Sequence, residues 1–423
     1  MTNRESFLPL WVILIFNIFT LFLYFTAPII WNTPNNLVLF LYLIINYIFI
    51  ALGYIQGLKI KNKISITPSL KSISTFISIF YFFTFYIRYC YLLKTDPFQI
   101  GELFEKVAIG LVAPEIGYKQ TLDRSLKQSI PWTVFFLISI VNQMYFLNGF
   151  VNWKKFDLKL KFPFIFFVLL EVIYWFSRGT NFGIITLILT YLLSLFINLN
   201  IDKFKLSKVL IYTVIFFLLT LLIFSYNLFS RSGLGSNSLN LENFTISNNN
   251  VVSDSIIFEI LPDWFINTYL LTLSYFAQGY YHLSLAFDLE YNWCYWFGSN
   301  PALIDFGKII GIDVFQNTYI YQLEKMGVDS YISWHSAFLW FANDFTFWGV
   351  PIVLYLISYF TAKSWILARI KGNLSSKFVF IILMNILIFL FANNTYLSSV
   401  FYSLMFMFPY WFFRQRKHLF NFK

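Results

Sequence analysis

Residues 268–289 read TYLLTLSYFAQGYYHLSLAFDL, a block long and apolar enough to cross a bilayer. Whether it crosses decides the topology of everything after it. If it did, the basic segment with Lys363, Arg369, Lys371 and Lys377 and the tail with Arg414, Arg416, Lys417 and Lys423 would both face outward, against the tendency of Lys and Arg in short loops to stay cytoplasmic. The block also carries Gln278, Gly279, His282, Ser284 and Asp288, which interrupt what a lipid-facing helix keeps apolar. Both arguments predict a re-entrant or interfacial helix inside one long outer excursion, about 230–334.

Outward from this block the chain has the same character. Its 423 residues are 58% hydrophobic, 23% aromatic and 12% charged, with mean hydropathy +0.66. A soluble domain carries about 25% charge, so an integral membrane protein is expected, all-α and polytopic, forming a single membrane domain over 1–423. At about 20 apolar residues per span, ten spans are predicted near 8–30, 37–58, 72–93, 131–151, 162–178, 181–200, 208–229, 335–361, 377–394 and 396–413. The first is too long for a signal-peptide core, and Thr26, Ala27 and Pro28 lead into Ile29, Ile30 and Trp31 without a small-x-small site, so it is read as an uncleaved helix. Lysine clusters at 59–71, 154–161 and 203–208 place those loops and both termini inside, leaving a second outer loop at about 94–130.

These features exclude several classes. The net charge of +10 is scattered between apolar blocks, unlike the continuous basic face of a nucleic-acid binder. Two cysteines, Cys90 and Cys294, make no disulfide framework and no metal site. There is no Walker A pattern and no carboxylate pair spaced for a metal, so neither a cofactor nor a metal is expected.

Chemistry is sought on the outer side. Arg88, Arg178 and Arg231 fall at the predicted outer ends of spans, where an ionised side chain is costly unless paired or snorkelling. A guanidinium fork also suits phosphate oxygens. Arg178 lies in Ser177-Arg178-Gly179-Thr180-Asn181, a tight turn in which Thr180 or Asn181 can cap the next helix. His335 opens the eighth span in Ser333-Trp334-His335-Ser336-Ala337-Phe338, and Asp344 follows nine residues later. Two and a half helical turns put them on opposite faces, so they form no simple dyad. His335 suits either a proton acceptor or a loop-bonding group; His282 suits packing or sugar contact. The many outer Trp and Tyr residues fit stacking on sugars and an interfacial aromatic belt equally well.

The segments Ser274–Ala286, Ser177–Asn181 and Trp334–Phe345 resemble the Wzy-type O-antigen or oligosaccharide repeat-unit polymerases, with His282 standing where that family leads one to expect glycine. The resemblance implies a GT-C-type glycosyltransferase of the bacterial inner membrane, related in architecture to O-antigen ligases and working at the periplasmic face. Its partners would be undecaprenyl-pyrophosphate-linked glycans, membrane lipid and a chain-length regulator protein. Arg88, Arg178 and Arg231 would hold the pyrophosphate. Gln278, Tyr280, Tyr281 and His282 would contact the glycan. His335 would be the general base, with Glu115 and Asp344 behind it. Two rivals remain: a lipid-linked oligosaccharide flippase, which should place its cations in a central cavity, and an O-antigen ligase with a lipid A core acceptor.

Overall fold

A computed structural model describes residues 3–59, 71–114, 116–117, 132–180, 182–198, 245–328, 335–392 and 394–419. In chain order they form α1 (Asn3–Thr26), α2 (Asn36–Leu58), α3 (Lys71–Arg88, continued by a π-helical turn over Tyr89–Leu93), α4 (Ile100–Val112), α5 (Trp132–Asn152), α6 (Leu158–Ser177) and α7 (Phe182–Asn198). The hairpin β1 (Thr245–Ile246) and β2 (Asn249–Asn250) precedes α8 (Ile256–Ile260), α9 (Asp263–Ala286), α10 (Pro301–Ile309), α11 (Tyr319–Lys325), α12 (Ala337–Lys371), α13 (Leu374–Ile388) and α14 (Asn394–Leu419). Among the described residues, four stretches, Glu5–Thr26, Asn36–Leu58, Leu158–Ser177 and Ala337–Ile370, are long and apolar enough to cross a membrane. The protein is an all-α membrane protein. The span expected at 208–229 lies outside the described residues.

Two compact units emerge, one from residues 1–65 and 238–423, the other from residues 66–237. In the first, α2 lies against α12 because Gly53 and Gly57 carry no Cβ; one at Gly53 would collide with the Tyr355 carbonyl, and one at Gly57 would sit 2.7 Å from Ala362 Cβ. A buried polar seam ties α1, α2, α9 and α13 together. Tyr280 Oη meets Thr20 Oγ1 at 2.9 Å and Tyr47 Oη at 3.4 Å, while Asn17 Nδ2 donates to the Leu387 carbonyl at 2.8 Å. At the other end of α1, Arg369 pairs with Glu5 at 3.2 Å and Trp365 Nε1 donates to the Glu5 carbonyl.

The decisive block becomes α9, which starts five residues before 268. Ile266, Leu270 and Leu273 share an apolar cluster with Ile29, Ile246 and Val251. At its C-terminal end, Asn35 Nδ2 donates to the Ser284 carbonyl at 3.1 Å and, just past the helix, to Asp288 Oδ2 at 2.6 Å. Both ends of α9 therefore pack against the α1–α2 connection. The hairpin joins them there: Ser247 and Asn248 turn with φ of 50° and 63°, and Val251 bridges to Ile29.

Two features depart from the expected spans. Helix α12 runs to Lys371, past the expected end at 361, because Lys363 lies buried over the Tyr359 ring, Arg369 finds Glu5, and no breaker occurs between 361 and the left-handed Gly372. It is interrupted once, at Thr346 (φ 59°, ψ 167°). In the second unit, residues expected in an outer loop form α4, which packs along α6. That unit is held by an aromatic cluster including Tyr81, Phe85, Tyr89, Tyr145, Phe167 and Tyr174, with Tyr81 and Tyr145 stacked at 4.2 Å.

Candidate functional site

In the second unit, Arg88 meets a partner the sequence reading overlooked. Its Nη1 and Nη2 donate to Glu171 Oε2 and Oε1, each at 2.8 Å. Tyr81 Oη donates to Oε2 at 3.0 Å and Trp175 Nε1 to Oε1 at 2.8 Å, so each carboxylate oxygen takes two hydrogen bonds. The guanidinium also lies 4.1 Å from the Tyr174 ring centre. A buried ion pair this fully bonded is a scaffold, and the Arg88 fork is filled by the protein's own carboxylate. Glu171 was findable, since it is an acid inside the predicted span 162–178 and an acid at that depth needs a partner.

Arg178 is differently placed. It closes the C-terminus of α6, donates from Nη1 to Tyr174 Oη at 3.2 Å and lies 4.9 Å from the Trp175 ring. The indole of Trp175 is the one fixed by Glu171. Arg178 Nε and Thr180 Oγ1 are buried without a hydrogen-bond partner among the described residues, so the Thr180 hydroxyl caps nothing there. Gly179 makes the turn with φ of 61°. The rest of the expected anion site and one alternative base, namely Arg231, Asn181 and Glu115, lie outside the described residues.

In the first unit the structure brings together two residues given separate roles by the sequence. The rings of His282 on α9 and His335, just before α12, lie 4.9 Å apart, and both are buried. Close approach depends on Gly279, where a Cβ would collide with the Phe391 carbonyl and sit 3.2 Å from Ser336 N. Both ring nitrogens of His335 lack a hydrogen-bond partner among the described residues. Burial first, and the neighbouring His282 second, hold the His335 imidazole well below the ordinary histidine value.

Asp344 does something else. Its carboxylate accepts from Gly298 N at 3.2 Å and Ser299 N at 2.6 Å, while Asn343 accepts from Tyr319 N at 2.9 Å and donates to the Gly298 carbonyl at 2.9 Å. This pair clamps the chain between α9 and α12 onto α12. Of the expected glycan residues, Tyr280 is fully enclosed, Tyr281 is buried and stacks on Trp31 at 5.3 Å, and Gln278 Oε1 accepts from Ser247 Oγ at 3.4 Å. They pack inside the first unit. Among the described residues no group of three or more His, Cys, Asp or Glu is placed to hold a metal ion.

No family model matches the chain, and neither a curated protein nor a solved structure is detectably similar to it.

Proposed function

We propose that the protein is a glycosyltransferase of the bacterial inner membrane that polymerises undecaprenyl-pyrophosphate-linked oligosaccharide repeat units, of O-antigen or capsular type, at the periplasmic face. The observation that carries this reading is His335, a buried imidazole whose two nitrogens have no hydrogen-bond partner among the described residues and which lies beside a second histidine. Kept neutral by its surroundings, it offers a lone pair at neutral pH. A ten-span GT-C-type architecture fits the packing of both ends of α9 against residues 29–35, which favours a helix that does not cross.

In the proposed reaction an acceptor sugar hydroxyl oxygen bonds to the reducing-end carbon of the growing glycan. The bond from that carbon to the pyrophosphate oxygen breaks, the leaving group departs with the electron pair, and the hydroxyl proton passes to His335. The same reading assigns pyrophosphate binding to Arg178 and Arg231, whose guanidinium forks suit phosphate oxygens. Arg88 acts at one remove, holding through Glu171 the aromatic bed on which Arg178 lies. Glu115 and Asp344 are the alternative proton acceptors.

The test is incubation of purified protein with a defined lipid-linked repeat unit. A ladder of products that disappears in His335→Gln supports the reading. Unchanged units would favour a flippase, and transfer only to a lipid A core acceptor would make the protein a ligase.

A further inference from the structure

The segment after α9 holds three large aromatic side chains outward on an unfavourable backbone. Trp293, Tyr295 and Trp296 are 46%, 52% and 59% exposed, while Cys294 between them is fully buried. Tyr295 and Trp296 are consecutive residues in the left-handed region, with φ of 52° and 68°, a conformation that bulky L residues adopt only where the surroundings impose it. Here the surroundings are explicit. Asn317 Nδ2 donates to the Trp293 carbonyl at 3.0 Å, and Asn343 and Asp344 fasten Gly298 and Ser299 just beyond. The Trp293 ring lies 4.8 Å from Tyr295 and meets Trp296 at 6.3 Å and 88°, so the two indoles form a corner. The residues leading into it, Asp288, Glu290 and Asn292, are acids and an amide.

We propose that Trp293, Tyr295 and Trp296 form a carbohydrate-binding platform for the glycan chain, which rests on the proposed function. Apolar C–H faces of sugar rings stack on exposed indole and phenol faces, and carboxylates and amides beside them accept from sugar hydroxyls. The same acids disfavour contact with a phosphate-rich headgroup layer, which separates this corner from an aromatic belt. The clamp formed by Asn343 and Asp344 presents the rings already ordered, so binding requires little further loss of freedom.

The test uses the full chain in nanodiscs and the free, delipidated repeat-unit oligosaccharide as probe, followed by saturation-transfer difference NMR. The wild type and Trp348→Phe, altered at an exposed tryptophan of α12, should both show transfer to sugar protons. The double variant Trp293→Ala/Trp296→Ala should lose it and show a KM for the lipid-linked unit raised about tenfold with kcat nearly unchanged. Absence of transfer in the wild type, or its persistence in the double variant, would overturn the platform. So would quenching of Trp293 and Trp296 fluorescence by brominated phosphatidylcholine in place of acrylamide, which would assign them to the bilayer. A normal product ladder alongside any of these results would leave the polymerase reading standing, whereas binding without a ladder would sink that reading alone.

Discussion

Individual residues divide into those whose role follows from charge and those whose role follows from confinement. Arg88 and Glu171 are the first kind. Losing one partner leaves a buried charge uncompensated, so Glu171→Leu should destabilise the protein by about 3–5 kcal/mol, whereas the double change Arg88→Met/Glu171→Leu should recover much of the loss. Thermal unfolding in detergent checks both. Arg178→Lys keeps the charge and removes the fork, so turnover should fall strongly while unfolding stays near wild type. His335 is of the second kind. If it is the base, it works unprotonated, and because its folded value lies well below 6.5, activity should be flat above about pH 6.5 and decline only at lower pH. The unfolded chain takes up a proton near 6.5 that the folded site refuses, so stability should also fall as pH drops below that value. A rate profile with its ascending limb above pH 7 would remove His335 from that role. The sequence made these residues visible by type, since Arg and His are scarce in an apolar chain. It could not show that Arg88 already had a partner 83 positions away, because pairing is a property of packing.

At the scale of elements, long apolar runs were the legible part: α1, α2, α6 and α7 fall within a few residues of their predicted bounds, because lipid exposure forces composition and length together. Helix α4 was not legible, since its 13 residues are too short to signal a span and its partner α6 is distant in sequence. The basic residues after 361 predict a loop, yet α12 continues through them because Lys363 and Arg369 find aromatic and acidic neighbours. Helix α9 carries the topological prediction. With the exposed Cys90 replaced by Ser, Ser253→Cys and Met326→Cys should react with an impermeant thiol reagent from the outer side only. Labelling of Met326→Cys from the cytoplasm would mean that α9 crosses.

For the whole molecule, composition alone decided the solvent, and the structure adds that the chain folds as two units, with the second inserted between residues 65 and 238 of the first. The pairing of Arg88 with Glu171 then has a consequence for biogenesis. Translation proceeds at about 5–20 residues per second, so the 83 positions between them correspond to about 4–17 s during which Arg88 has emerged without its carboxylate. An unpaired guanidinium resists entry into hydrocarbon, and α3 should therefore linger at the insertion machinery until α6 arrives. Stalled ribosomes truncated before residue 171 should leave α3 crosslinked to the insertase, and those truncated well after it should release the helix to lipid. A carboxylate that looks like a structural detail in the finished protein would thus set the order in which its first helices leave the translocon.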